Sequence, residues 1–190
     1  MSRKLDQILV IDVEATCWPG DPPPGQVSEI IEIGLCMLDV ATGQRGEKVS
    51  LLVRPRLSTV SPHCTALTTL TQDEVDAGLS LAEACHELET RYGSRDRIWA
   101  SYGDYDRIQF RRNCDEARVD YPFGRTHLNV KTLLALAWGL DKEVRLDRAM
   151  AMRDWPLEGT HHRGADDAWN IARLLGDLLL RARQGRETDR

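Results

Sequence analysis

No two of the five cysteines in this sequence (Cys17, Cys36, Cys64, Cys85, Cys114) have Cys-x-x-Cys spacing. An odd, scattered set gives neither a disulfide framework nor a zinc pattern. A reducing cytosol is the simplest setting for such a chain, so a cytoplasmic protein is expected. No apolar run approaches the roughly 20 residues needed to span a bilayer, and no membrane partner is expected. The polar start, Met1 to Gln7, runs straight into an apolar stretch and leaves no room for a signal peptide. Positive charge is also in short supply: 25 Lys and Arg stand against 30 Asp and Glu, a formal net charge of −5. That balance argues against broad, non-specific clamping of a nucleic-acid backbone, but it leaves room for a small site holding a few nucleotides. Neither an internal repeat nor a second domain is visible. The 190 residues are read as a single domain over 1–183, long enough for one real core, with a polar tail at 184–190.

What is present is organised around Ile8-Leu9-Val10-Ile11-Asp12-Val13-Glu14. Four apolar residues in a row read as a strand buried on both faces. Asp12 and Glu14 follow at i and i+2, so they point to the same side, their Cα atoms about 7 Å apart. Two acids side by side at the end of a buried strand repel one another and lose hydration. A hard divalent cation such as Mg²⁺, which prefers oxygen ligands, relieves both effects. The alternative is that the strand surfaces there and both acids are solvated. The Pro/Gly-rich segment after Trp18 is a loop that either forms one wall of a site or is a plain connector.

Ser28–Val40 and Val49–Arg54 read as further strands, with Glu32 an oddity inside the first of them. The short connections make the first three strands an antiparallel meander. Pro62–Thr71 is helix-like in places, and Thr71 with Glu74 resembles a capping box. Helices are expected over Leu79–Tyr92, Asp104–Arg118, Lys131–Leu140, Val144–Met152 and Gly164–Arg183, with short strands at Ile98–Ser101 and Thr126–Val130. The sum is an α/β domain built on a central sheet with helices packed on it.

Helix periodicity separates two pairs of neighbouring acids. Asp104 shares a face with Arg107, Ile108 and Arg111 and suits a capping role, whereas Asp106 shares one with Phe110, Asn113, Cys114 and Ala117, the side toward the sheet. Asp166 lines up with Asn170, Arg173 and Asp177, a polar face; Asp167 lines up with Ile171, Leu174, Leu175 and Leu178, an apolar one. His162 lies five residues before Asp167, about 140° away if both were on one helix. It is therefore expected in the preceding loop, where Gly164 lets the backbone bend. His161 reads as an ordinary polar loop residue. Each of these features is weak alone, because acids are plentiful in this chain. The ordered set of Asp12, Glu14, Asp106, His162 and Asp167 is stronger.

That set resembles the DEDDh 3′→5′ exonucleases. The stretches Ile11-Asp12-Val13-Glu14-Ala15-Thr16-Cys17, Glu29-Ile30-Ile31-Glu32-Ile33-Gly34, Cys64-Thr65-Ala66-Leu67-Thr68, Thr71-Gln72-Asp73-Glu74-Val75 and Gly103-Asp104-Tyr105-Asp106 are similar to the ERI-1/3′hExo branch, which also holds the KapD-like proteins. The resemblance runs from Ile8 to about Leu180. It implies an RNase H-like fold, with a central mixed five-stranded sheet and helices on both faces. It makes Asp12, Glu14, Asp106 and Asp167 metal ligands, Glu14 also part of the catalytic set, and His162 the general base. Gly164 and Ala168 fit the motif and favour His162 with Asp167 over His161 with Asp166. Ala15, Thr16, His63, Leu67, Tyr105 and His162 would border the terminal base or sugar. His63 departs from the aromatic residue usual there in animal members. The implied activity is hydrolysis at the 3′ end of single-stranded RNA or DNA, with RNA preferred, releasing nucleoside 5′-monophosphates. Two Mg²⁺ ions, replaceable by Mn²⁺, would serve each site. Arg107, Arg111, Arg112 and Arg163 are candidates for phosphate contact, with Arg111 and Arg112 reading better as solvated charges. Rival readings are a DNA-proofreading or oligoribonucleotide-trimming exonuclease of the same superfamily, and a catalytically inactive nucleic-acid-binding domain. Recruitment to a specific stem-loop is not implied, and the sequence does not give a protein partner.

Overall fold

The computed structural model describes residues 4–187. Three strands, β1 (Lys4–Ala15), β2 (Ile30–Asp39) and β3 (Arg45–Leu52), form the expected antiparallel meander. β4 (Arg97–Ser101) lies parallel to β1, and β5 (His127–Asn129) lies parallel to β4. The result is a mixed five-stranded sheet in the order β3-β2-β1-β4-β5. β1 is central and covered on both faces, which is why its sequence is a continuous apolar run.

Among the described residues, seven helices accompany the sheet: α1 (Pro62–Thr68), α2 (Gln72–Asp76), α3 (Leu81–Tyr92), α4 (Tyr105–Ala117), α5 (Val130–Ala137), α6 (Leu146–Ala151) and α7 (Gly164–Glu187). Local chemistry sets their starts. Ser61 Oγ accepts the Cys64 amide hydrogen at 3.0 Å, and Pro62 occupies the first helical position, where no amide hydrogen is needed. Thr71 with Glu74 and Ser80 with Glu83 close two capping boxes, at α2 and α3. α3 stops at Gly93, whose left-handed φ of 62° closes the helix end.

Alternation along β1 feeds two core layers. Leu9, Ile11 and Val13 pack with α3, α4, Trp99 and Phe123. Ile8 and Val10 pack on the opposite face with Leu134, Met150, Ile171 and Leu175 of α5, α6 and α7. Helices therefore cover both faces, as the RNase H-like expectation requires. Trp99 stacks on Phe123 with centroids 4.3 Å apart, and Phe110 meets the same ring edge-on at 4.9 Å. No helix among the described residues is long and apolar enough to cross a membrane.

Two expectations are corrected. α7 runs to Glu187, so residues 184–187 continue the helix rather than fraying as a polar tail. The segment is polar, but it holds good helix formers and no proline, and one glycine does not stop a long helix. Residues 188–190 lie outside the described residues. Asp104 does occupy the N-cap position of α4, yet its side chain makes no capping bond. Its carboxylate instead pairs with Arg107 at 2.8 Å and accepts from Asn129 Nδ2 at 3.2 Å.

α7 enters the sheet through a backbone contact between glycines. Gly34 pairs with Asp12 across β1–β2, and a Cβ added at Gly34 would lie 1.8 Å from the Gly164 carbonyl carbon. No rotamer relieves a clash between backbones. Gly34→Ala is expected to lower the free energy of unfolding by about 3 kcal/mol or more, read by urea denaturation. An unchanged midpoint would show that α7 can step back from the sheet without loss.

Candidate active site

The site forms where β1 outruns its parallel neighbour. Pairing with β4 ends at Val10 and Ala100. Three residues further on, the Val13 amide donates to Asp106 Oδ1 at 2.9 Å. Asp12 and Glu14 continue the row begun by Ile8 and Val10 and so face α7. Asp106, 4% exposed, stands in the first turn of α4 above Phe110, Asn113 and Cys114, which are buried along the same side. Asp167, also 4% exposed, stands in the first turn of α7 above the buried Ile171, Leu174 and Leu175. Asp166 is turned away, to Lys48 at 2.6 Å and the Thr160 amide at 2.7 Å. Both periodicity arguments thus pick the inward acid.

Carboxylate oxygens of Asp12, Glu14 and Asp167 lie within 4.8 Å of one another. Burial, and then the negative charges around it, make this arrangement unfavourable without a cation. Glu14, 8% exposed, is pushed up to about 8 by burial first, then by Asp167, Glu32 and Asp106. Asp12 is raised well above the usual carboxylate range by burial, then by Asp106 and Glu14. Burial lifts Asp106 to about 6, against the opposing pull of its bond from the Val13 amide. Converging dehydrated oxygens of this kind fit a hard divalent cation. Asp106 is outside the three-residue cluster but within its electrostatic reach.

The loop before α7 brings two imidazoles. His162 adopts a left-handed φ of 65°, and its amide donates to Asp167 Oδ2 at 2.9 Å. Its ring stacks on that of His161, centroids 4.0 Å apart, and both rings line the cleft. His161 is not an idle loop residue: its Nδ1 is 3.0 Å from each oxygen of Asp167. Periodicity could not reveal this contact, because it is made by a non-helical turn folding back over its own helix. Burial, then the neighbouring His161, lowers the pKa of His162, so its ring is neutral and proton-accepting near pH 7.

The cleft has a volume of about 430 Å³. Of the residues expected to meet substrate, Ala15, Leu67, Tyr105 and His162 line it, whereas Thr16 and His63 do not. The Thr16 hydroxyl is buried, donating to the Val27 carbonyl at 3.1 Å and accepting from the Glu29 amide at 2.9 Å. That closes the Pro/Gly-rich loop rather than facing the cleft. His63 is exposed on α1, one turn before Leu67.

None of the four arginines suggested for phosphate contact lines the cleft. Arg107 is held by Asp104, Arg111 lies over the Tyr121 ring, Arg112 donates to the Ser28 carbonyl, and Arg163 pairs with Glu32. The cationic lining residues are instead Lys131 and Arg145, on α5 and just before α6, with Tyr102 beside them. No motif marked these positions; they reach the cleft only through the fold.

An acid cluster and an imidazole at the end of the central strand of an RNase H-like sheet are the arrangement of DEDDh exonucleases, which depend on divalent metal. The family model for exonucleases of the RNase T type matches residues 9–175, and the chain belongs to that family. It is similar to 3′-5′ exoribonuclease 1 of Homo sapiens, 30% identical over 187 residues, covering 92% of this chain and 52% of the relative. The Drosophila melanogaster 3′-5′ exonuclease Snipper is 24% identical over 194 residues, covering 90% and 69%. Among solved structures, the nuclease domain of 3′hExo, a DEDDh family member bound to rAMP, superposes with a TM-score of 0.82 at 25% identity. That match covers 95% of this chain and 94% of the other. The chain spans about half the length of the mammalian exoribonuclease 1 relatives.

The acid cluster has a consequence for stability. Glu14 has its folded-state value raised from 4.5 to about 8. Between those values the folded chain holds more protons than the unfolded one, so stability is full below 4.5 and is lost as pH rises toward 8. The thermal midpoint of metal-free protein should fall between pH 5 and pH 8, and millimolar Mg²⁺ or Mn²⁺ should restore it. Glu14→Gln should flatten the pH dependence. A metal-free midpoint that rises over this interval would contradict the electrostatics of the cluster.

Proposed function

We propose that this protein is a 3′→5′ exonuclease that acts on single-stranded RNA and releases nucleoside 5′-monophosphates, with Mg²⁺ as its cofactor and Mn²⁺ able to replace it. The observation that carries this reading is convergence: oxygens of Asp12, Glu14 and Asp167 lie within 4.8 Å of one another, beside a cleft that the His162 ring also lines. Asp12, Glu14, Asp106 and Asp167 would hold the cations. When bound, divalent ions supply a water that is acidic near neutral pH and offset charge on the leaving 3′ oxygen. His162, neutral at working pH, takes the proton of the attacking water. Asp167 orients the loop that carries this ring, through the His162 amide and the His161 Nδ1. Leu67 and Tyr105, both exposed at the rim, offer flat or apolar surface on which a terminal base can stack without sequence preference. Ala15 leaves room beside Glu14 for the sugar. Thr16 acts on substrate only through the loop it closes.

The preference for RNA rests on similarity to 3′-5′ exoribonucleases. A cytoplasmic setting is supported by five free cysteines.

On 5′-labelled single-stranded RNA with Mg²⁺, a ladder should shorten from the 3′ end, and EDTA should stop it. Asp12→Asn should abolish turnover while leaving a folded protein. Product that shortens from the labelled end, or undiminished activity in EDTA, would remove the proposal. Rates on matched DNA and on two- to five-residue oligonucleotides would distinguish RNA trimming from the activities of other exonucleases.

His162→Asn makes a second test. Asparagine tolerates a left-handed backbone better than most residues, so the thermal midpoint should hold within a few degrees. Loss of the proton acceptor should lower kcat by about 10²–10⁴-fold with little change in KM. Retained kcat would assign the base elsewhere in the cleft.

A further inference from the structure

Glu32 has no part in the chemistry above, yet it is an acid at 0% exposure, three residues into β2. A carboxylate is unfavourable there unless it is paired and hydrogen-bonded. Its Oε1 accepts from Ser50 Oγ at 2.6 Å and from Arg163 Nη2 at 3.4 Å. Its Oε2 accepts from Arg163 Nε at 3.1 Å and from the Gly164 amide at 3.0 Å. Both oxygens are therefore engaged with protein, and Glu32 is absent from the cluster of converging acid oxygens. That argues against a fifth cation ligand.

The two partners on the α7 side, Arg163 and Gly164, directly follow His162. His162 is one of the few non-glycine residues with a positive φ. A side chain of its size occupies that region only where the surroundings hold it. One hold is the bond from the His162 amide to Asp167. The other is Glu32, which grips the next residue by its guanidinium and the one after by its amide. Glu32 also stands opposite Glu14 in the β1–β2 register. The anchor of the histidine loop is thus fixed to the same strand pair that carries the acids.

We propose that Glu32 is a positioning residue. Through Arg163 and Gly164 it holds His162 in the left-handed turn and aims the imidazole into the cleft, touching neither substrate nor cation. This rests on the exonuclease reading, so its test must separate the two.

The full-length chain would be assayed on single-stranded RNA with Mg²⁺ as wild type, Glu32→Gln, His162→Asn and the double variant. Glu32→Gln is expected to lower kcat at least tenfold with KM within twofold. In the His162→Asn background the same change should cost less than twofold further, because an effect transmitted through His162 cannot act once that ring is gone. Full kcat in Glu32→Gln, or multiplicative losses in the double variant, would overturn the positioning role while leaving the exonuclease reading intact. An inert wild type would overturn that reading instead, and the positioning role with it. Should Glu32→Gln fail to fold, Arg163→Met breaks the same link from its solvent side and must give the same non-multiplicative pattern.

Discussion

The close approach of Gly34 and Gly164 is the constraint on which the rest of the molecule depends. Helix α7 cannot lie this near β2 with any side chain at either position. Because Gly34 is the partner of Asp12 in the sheet, the contact sets the first turn of α7 directly beside the paired acids of β1. Asp167, three residues into the helix, then has no choice but to enter their field. The sheet supplies a second placement by stopping short. β4 ends at Ser101, leaving the Val13 amide to be taken by Asp106 from α4. Two acids in sequence proximity and two from distant helices are thus assembled by backbone geometry before their own charges are considered.

Those charges oppose the assembly. Burial and mutual repulsion raise Asp12, Glu14 and Asp106, and within this cluster the chain offers little relief of its own. Arg163 pulls the Glu14 value back down, but it is already committed to Glu32. The fold therefore stores an electrostatic imbalance that a divalent ion corrects. Lys131 and Arg145 line the same cleft but are partnered by Glu143 at 3.6 Å and Asp147 at 3.3 Å. The acids are left uncompensated by protein, as a site that must admit a cation requires.

Much of this was legible in the sequence, for identifiable reasons. The run from Ile8 to Ile11 reads as a strand buried on both faces, and a two-residue period puts Asp12 and Glu14 on one side. Asp167 was separable from Asp166 because three helical turns of apolar residues agree with it. Asp106 was separable from Asp104 on a shorter pattern that happened to hold. Glu32 was visible as an anomaly, a charge in an apolar strand, but Arg163 and Gly164, the partners that tie it to the histidine loop, are more than 100 residues away. No local rule finds them. Lys131, Arg145 and the Nδ1 of His161 were illegible for a related reason: their relevance comes from where loops fold, and loop geometry leaves no period in the sequence. For Arg107 and Arg163 proximity to the motifs in sequence is not proximity to the cleft in space: Asp104 and Glu32 hold them outside its lining.

The left-handed turn at His162 also limits how this site can change by substitution. The residues that enter that backbone region most readily are glycine, asparagine, aspartate and histidine, and of these only histidine carries a ring. Residues that could replace histidine as a proton acceptor, such as glutamate, meet backbone strain there. The position therefore offers no gradual route between bases: a neighbouring sequence keeps the histidine, or it retains the shape of the loop and gives up the proton transfer.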